Sequence, residues 1–129
     1  STSALERAKS GVYDQLALGR GMPEDLLTRY FSKHEDSWKV NANVAARVQY
    51  RMLNLLHSYS MLGKFDIVFC RNVLIYFSAD VKKDILTRIH GTLKPGGYLL
   101  LGASEALSGL PDHYEMVQCS PGIIYRKKG

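Results

Sequence analysis

The strictest alternation of hydrophobic and polar positions runs from Trp38 to Met52, where every even position is hydrophobic and most odd positions are polar. A period of two predicts β-structure. Because one strand of this length would be unusual, we expect a hairpin with a break near residues 43–46. Its second arm would enter the main sheet, and residues 36–52 would form a small β-subdomain.

Two helical patterns precede this alternation. Residues 2–9 predict one helix, and residues 23–31 predict another, which Pro23 would open at its first position. The stretch between them, residues 16–23, contains two glycines and predicts a loop.

The second half of the chain alternates strand and helix patterns. Residues 65–70 carry hydrophobic residues on both faces, which is typical of a parallel strand inside a sheet. Ser78 can cap the helix that follows, where hydrophobic positions recur at four-residue steps at Val81, Ile85, Ile89 and Leu93. "KPGG" at residues 94–97 predicts a turn into a second buried strand at residues 98–104.

The end of the chain predicts a hairpin. Residues 114–120 and 122–128 read as two strands around Pro121 and Gly122, and we expect them to pair in the antiparallel direction. A strand, a helix, a second strand and a terminal hairpin in this order predict an open α/β sheet.

Composition narrows the class of protein. The length of 129 residues fits one domain, and 46% hydrophobic residues are enough for a core. No hydrophobic run approaches the roughly 20 residues needed to cross a bilayer, so we expect no membrane insertion. The net charge of +5 is spread along the chain and does not indicate a nucleic-acid partner. Cys70 and Cys119 lack metal-ligand spacing, and so few cysteines favour a reduced, cytoplasmic setting.

Arg71 and Asn72 interrupt the hydrophobic run of residues 65–77. Burying these groups without partners would be costly, but the carboxyl ends of strands in an open α/β sheet border a ligand crevice. We therefore expect both side chains to face that crevice and to offer hydrogen-bond groups to a polar small molecule. The structural alternative is that Arg71 pairs with a carboxylate and Asn72 caps the following turn.

Four stretches together resemble one enzyme family. "FDIVFCRNVLIYF" at residues 65–77 is the most specific, and "LKPGGYLLLGASEAL" at residues 93–107 supports it. "LERAKSGVY" at residues 5–13 and "RMLNLL" at residues 51–56 occur in the matching order. On these motifs the chain resembles the CheR family of chemotaxis receptor methyltransferases.

The resemblance implies a fold, a reaction and a cofactor. The fold would be α/β, the carboxy-terminal half of a Rossmann-like class I methyltransferase domain, with the small β-hairpin subdomain attached. The reaction would move a methyl group from S-adenosylmethionine to glutamate side chains on the cytoplasmic helices of chemoreceptors, leaving S-adenosylhomocysteine. A glutamate carboxylate is already ionised at pH 7, so catalysis would depend on orientation rather than on a general base.

Site residues follow from matched positions. Asn54 and Leu55 correspond to residues that border the adenine, and Arg71 and Asn72 correspond to residues that contact the cofactor. Tyr76 corresponds to a tyrosine near the reacting sulfonium, where an aromatic face can stabilise a cation. The structural alternative for Tyr76 is a half-buried tyrosine at a helix entry. We assign "GASEA" at residues 102–106 to a helix cap.

The sequence also departs from the family pattern. The sequence has no glycine-rich turn after a first strand and no acidic residue placed to hold the ribose. We therefore expect residues 1–129 to be the carboxy-terminal part of the catalytic domain and to be inactive alone. The loop at residues 32–37 is short and lacks glycine, which resembles family members that do not depend on a receptor pentapeptide.

Loss of the neighbouring strands would leave residues 65–70 as a hydrophobic sheet edge, so we expect a homodimer or a swapped assembly. Two other functions stay open. One is a methyltransferase of the same fold that acts on a small molecule, and the other is a non-catalytic interaction module.

Overall fold

The computed structural model describes residues 1–105, 107, 110, 112–119 and 122–129. These residues form two compact units, Ser1–Leu53 and Asn54–Gly129. The architecture is mixed α/β, with a small sheet in the first unit and a larger one in the second, as predicted. Within the described residues, no helix has the length and hydrophobicity to span a membrane.

The first unit opens with helix α1, Thr2–Ser10. The Ser1 hydroxyl accepts a hydrogen bond from the Ala4 N–H at its start, and Gly11 ends it with a left-handed φ of 69°. The helix predicted at residues 2–9 is therefore confirmed.

The sheet of the first unit has the order β1–β3–β2, with antiparallel pairing throughout. Its strands and helices, in chain order, are β1 Val12–Asp14, α2 Gln15–Gly19, α3 Glu24–Tyr30, β2 Phe31–His34 and β3 Ser37–Val40. Helix α3 confirms the predicted second helix, although Pro23 lies at its N-cap rather than at its first position. Helix α2 occupies part of the predicted loop. The Asp14 carboxylate accepts a 2.7 Å hydrogen bond from the Ala17 N–H and caps this short helix.

The strand predicted as far as Met52 is wrong beyond Val40. Residues Ala42–Ala45 form a single-turn helix, α4, and residues 46–53 are neither helix nor strand. The alanines in this stretch favour a helix and offer little side chain to pack on a sheet. The hairpin in this unit is formed instead by β2 and β3, so no second arm enters the main sheet.

The second unit begins with irregular chain and a short 3₁₀ helix at Ser60–Leu62. The elements that follow are β4 Phe65–Cys70, a 3₁₀ turn at Leu74–Tyr76, α5 Ala79–Thr92, β5 Leu93–Leu101, β6 Tyr114–Cys119 and β7 Gly122–Lys127. The sheet order is β4–β5–β7–β6, with β4 and β5 parallel and the other pairings antiparallel. The strand–helix–strand order and the terminal hairpin are confirmed. Ser120 and Pro121 lie outside the described residues.

Strand β5 starts earlier than predicted. The "KPGG" stretch, residues 94–97, is an irregular excursion within the strand rather than a turn before it. A Cβ at Gly97 would lie 2.9 Å from the Lys94 carbonyl oxygen and 3.0 Å from that of Asp66, so only glycine fits there without movement.

The core of the second unit lies where α5 packs on the sheet. Ile85, Leu93 and Leu99 are fully buried, and the Tyr114 hydroxyl donates a 2.6 Å hydrogen bond to the Leu86 carbonyl inside this core. Ser78 caps α5 as predicted, because its hydroxyl accepts from the Val81 N–H.

Strand β4 lies at one edge of the sheet. Phe65, Ile67 and Phe69 alternate along it and are 38%, 51% and 68% exposed. The burial on both faces that its composition predicts is therefore not met, because these three side chains share one exposed face of the strand. The edge position expected for residues 65–70 is confirmed.

Candidate functional site

The carboxyl ends of the two parallel strands lie side by side, because Cys70 at the end of β4 pairs with Leu101 at the end of β5. The loops that leave these strands begin with Arg71 and Gly102. This is the edge of an open α/β sheet where ligands bind. The crevice expected beside Arg71 would lie at the junction of these two exit loops.

A single carboxylate joins the two loops. Glu105 Oε1 accepts hydrogen bonds from the backbone N–H groups of Asn72 at 2.6 Å and Gly102 at 2.9 Å. Glu105 Oε2 accepts from the N–H groups of Val73 at 3.2 Å and Leu74 at 2.8 Å. The first turn after β4 is thereby fixed to the first turn after β5.

The surroundings of Glu105 favour its charged form. Desolvation raises the pKa of this carboxyl, but hydrogen bonds from the Gly102, Asn72, Leu74 and Val73 N–H groups outweigh that effect and hold the pKa below its usual range. The side chain is therefore an ionised acceptor at neutral pH.

Asn72 and Gly102 meet where the two loops are closest. Asn72 has a left-handed φ of 59°, which asparagine tolerates better than most residues. A Cβ at Gly102 would lie 2.3 Å from Asn72 Oδ1 and 2.7 Å from Glu105 Oε1. The backbone of Asn72 shapes the turn, and its side-chain oxygen lies against the Gly102 backbone.

An open cleft of about 1040 Å³ borders the junction. Arg71 and Gly102 line it from the exit loops, and Gln118 and Ile123 line it from the terminal hairpin. In the part of the chain that the structure describes, Arg71 forms no ion pair, so its pairing with a structural carboxylate finds no support. Its guanidinium is available to a ligand.

Tyr76 ends the 3₁₀ turn that follows the junction. Leu74 in the same turn is only 4% exposed, whereas Tyr76 is 80% exposed. The turn is therefore anchored in the core at one residue and projects the tyrosine into solvent at another. The half-buried alternative for Tyr76 is wrong.

Asn54 and Leu55 take local roles. Asn54 Oδ1 accepts a 2.9 Å hydrogen bond from the Leu56 N–H, and the Asn54 carbonyl accepts one of 2.9 Å from the His57 N–H, which closes a turn. Leu55 packs against the buried cluster that contains Leu74. The adenine contacts of both residues stay a prediction.

Sequence reasoning missed Glu105. The stretch at residues 102–106 was assigned to a helix cap, but no helix follows within the described part of it, and Ala106 lies outside the described residues. One signal could have found this residue. Glu105 is the single charged residue between Tyr98 and Pro111, directly after a buried strand.

A comparison with protein families identifies the family that this chain resembles. Residues 1–123 match the family described as CheR methyltransferase, SAM binding domain. The chain belongs to this family. The predicted family and fold class, part of a class I methyltransferase fold, are confirmed.

Curated relatives agree with the family assignment. The chain is 67% identical over 129 residues to "Chemotaxis protein methyltransferase 1" of Pseudomonas aeruginosa and 65% identical over 129 residues to "Chemotaxis protein methyltransferase Cher2" of Pseudomonas putida. It is 39% identical over 120 residues to "Chemotaxis protein methyltransferase" of Escherichia coli. These matches cover 99%, 99% and 89% of the chain but 47%, 47% and 42% of the relatives. The chain thus spans about half the length of the curated relatives it matches.

The family's cofactor is S-adenosylmethionine, as predicted. This molecule carries a carboxylate, polar adenosine groups and a sulfonium cation. Arg71, which has no ion pair among the described residues, can bind oxygen acceptors, and the exposed ring of Tyr76 can face a cation. The side chains at the junction therefore fit part of the cofactor.

Proposed function

We propose that this chain is part of the catalytic domain of a protein-glutamate O-methyltransferase. Its substrates are glutamate side chains of chemoreceptors, its methyl donor is S-adenosylmethionine and its second product is S-adenosylhomocysteine. Family membership and the names of the relatives support this function. The observation that carries it is the junction of exit loops, where Glu105 holds the segment from Arg71 to Tyr76 beside the carboxyl ends of two parallel strands.

The proposed function assigns a role to each predicted site residue. Bound S-adenosylmethionine supplies an electrophilic methyl group on a sulfonium. Arg71 and Asn72 hold polar groups of the cofactor, and Asn54 and Leu55 border its adenine. Tyr76 places its ring beside the cation, an attraction of roughly 0.5–2 kcal/mol. Because the acceptor carboxylate is already ionised, these residues act by orientation and need no general base.

The first unit supports a mode of receptor binding. The small β-subdomain was predicted at residues 36–52, and the part of it that bears on receptor binding is the sheet that ends at Val40. A two-residue turn, Glu35–Asp36, joins β2 to β3. So short a turn carries no inserted loop for a receptor's terminal pentapeptide, which supports pentapeptide-independent methylation. Because the acceptor glutamates lie on the cytoplasmic helices of receptors, the enzyme acts in the cytoplasm.

A chimera tests this function. The matched segment of the Pseudomonas aeruginosa relative, 67% identical to this chain, is replaced by residues 1–129. We expect the chimera to bind S-adenosylmethionine and to methylate a receptor fragment. Arg71→Ala is expected to weaken cofactor binding, and Tyr76→Ala is expected to lower the rate. Lys83→Ala, which removes an exposed cation from α5, is the matched control.

The outcomes separate the competing functions. A folded chimera that binds no S-adenosylmethionine would overturn the proposal and favour an interaction module. Methyl transfer only to small molecules would favour the other enzyme class. If Arg71→Ala lowered the thermal midpoint and left cofactor affinity unchanged, Arg71 would be structural.

A further inference from the structure

We propose that Glu105 is a positioning residue for the cofactor site, whose carboxylate holds the loop carrying Arg71 and Tyr76 in its binding shape. This inference rests on the proposed function. In this role Glu105 acts through the backbone of the loop and does not itself contact cofactor or substrate.

The hydrogen-bond pattern spans the relevant segment. One donor, the Asn72 N–H, directly follows Arg71. Two others, the N–H groups of Val73 and Leu74, begin the 3₁₀ turn that ends at Tyr76. The carboxylate thus fixes the backbone between the two side chains proposed to meet the cofactor.

The positioning requires a carboxylate rather than any polar group. Each Glu105 oxygen accepts from two backbone N–H groups. A glutamine of nearly the same shape would put an NH₂ donor in place of one oxygen. Two backbone N–H groups would then face a donor, and the loop would have to move away.

The three fully buried side chains of the unit lie outside this contact. These side chains, Ile85, Leu93 and Leu99, belong to α5 and β5, whereas Glu105 is half-buried in an exit loop. Removing the acceptor therefore loosens the loop more than it disturbs the packing of helix and sheet.

The chimera described above provides the test, with the dissociation constant for S-adenosylmethionine measured by calorimetry. Glu105→Gln is expected to raise this constant about ten- to a hundredfold, the size expected for lost hydrogen bonds to a charged group. Glu115→Gln makes the same chemical change at an exposed position of β6 and is expected to leave the constant unchanged. Amide hydrogen exchange of Asn72, Val73 and Leu74 is expected to accelerate only in the Glu105 variant.

A double-mutant cycle distinguishes positioning from a general loss of stability. If Glu105 acts through the loop that carries Arg71, the Arg71→Ala and Glu105→Gln effects on affinity are coupled, and the double variant loses less than the product of the single losses. Additive effects, or an unchanged constant in Glu105→Gln, would overturn the inference. Glu105→Asp keeps the charge and shortens the side chain, so it enters the same cycle if the glutamine variant does not fold.

The two proposals fail in different ways. Absence of cofactor binding by the unsubstituted chimera overturns the proposed function, together with the role that rests on it. Normal binding by the unsubstituted chimera and by Glu105→Gln overturns only the role of Glu105.

Discussion

Glu105 Oε1 accepts a 2.6 Å hydrogen bond from the backbone N–H of Asn72, a residue 33 positions earlier in the chain. This bond connects the loops that leave two parallel strands, and it helps to hold Asn72 at its left-handed φ of 59°. Hydrogen bonds to an ionised acceptor are short and stronger than neutral ones. Arg71, next to Asn72, therefore depends for its position on a residue outside its own sequence motif.

The first prediction concerns the pH dependence of stability. Hydrogen bonds lower the pKa of Glu105 in the folded chain. The stabilisation from this carboxylate is then present above its unfolded pKa of about 4.3 and is lost as the pH falls through the lower folded value. We expect the difference in thermal midpoint between the unsubstituted chain and Glu105→Gln to narrow as the pH is lowered from about 6 to about 3.

Thermal unfolding followed by circular dichroism at a series of pH values measures this difference. The other titrating groups are shared by the two proteins, so their contributions cancel. A difference in midpoint that stayed constant over the whole range would contradict a stabilising charge at Glu105.

The second prediction concerns the close approach at Gly102. A Cβ there would lie 2.3 Å from Asn72 Oδ1, so Gly102→Ala is expected to push the exit loops apart and to cost about 1–3 kcal/mol of unfolding free energy. Gly91→Ala is the control, because a Cβ at this helical position meets nothing within 4 Å. The control is expected to stabilise the chain by about 0.4–1 kcal/mol. Urea unfolding of both variants measures the two changes, and equal effects would argue against a tight junction.

Local signals predicted much of the second unit. Ser78 and the four-residue spacing after it were enough to locate α5, because a cap and a hydrophobic stripe are both written in adjacent residues. The composition of residues 65–70 likewise located β4. Composition alone could not show that β4 lies at an edge, since the number of neighbouring strands is not a local property, and that expectation came from the family resemblance instead.

The wrong strand prediction after Val40 and the missed Glu105 have the same origin, because both depend on contacts between distant parts of the chain. The alternation after Val40 had the correct period for a strand, yet residues 42–45 lack a partner strand and form a helical turn. Glu105 was missed because three of the four backbone N–H groups that it binds lie more than thirty positions away, which no short pattern reveals. Arg71 was singled out because it interrupts a hydrophobic run and Tyr76 because it matches a family motif, whereas the carboxylate that binds the backbone between them required the structure.

The third prediction concerns the 129-residue chain alone. The sequence contains no glycine-rich turn after a first strand and no acidic residue placed for the ribose, so we expect feeble binding of S-adenosylmethionine and no measurable methyl transfer. Calorimetry on the purified chain tests the binding, and a radiolabelled methyl donor with a receptor fragment tests the transfer. Micromolar affinity in the isolated chain would show that the second unit holds the cofactor without those elements.

The fourth prediction concerns the open edge of the sheet. Phe65, Ile67 and Phe69 are exposed on β4, whose free side can still accept a strand. Unpaired hydrophobic edges recruit other strands, so we propose that the 129-residue chain forms a dimer or a swapped assembly through β4. Sedimentation at micromolar concentration is expected to show this association.

A charged side chain introduced on β4 is expected to prevent this association. Phe69→Lys places a cation on β4, where it disfavours close pairing of two edges, and we expect this variant to sediment as a monomer. Met61→Lys is the matched control, because Met61 is 90% exposed and lies in a 3₁₀ helix outside the sheet. The control is expected to keep the assembly. If the unsubstituted chain were a stable, well-folded monomer at micromolar concentration, the exposed edge would not be an association site, and the hydrophobic side chains of β4 would be tolerated in water.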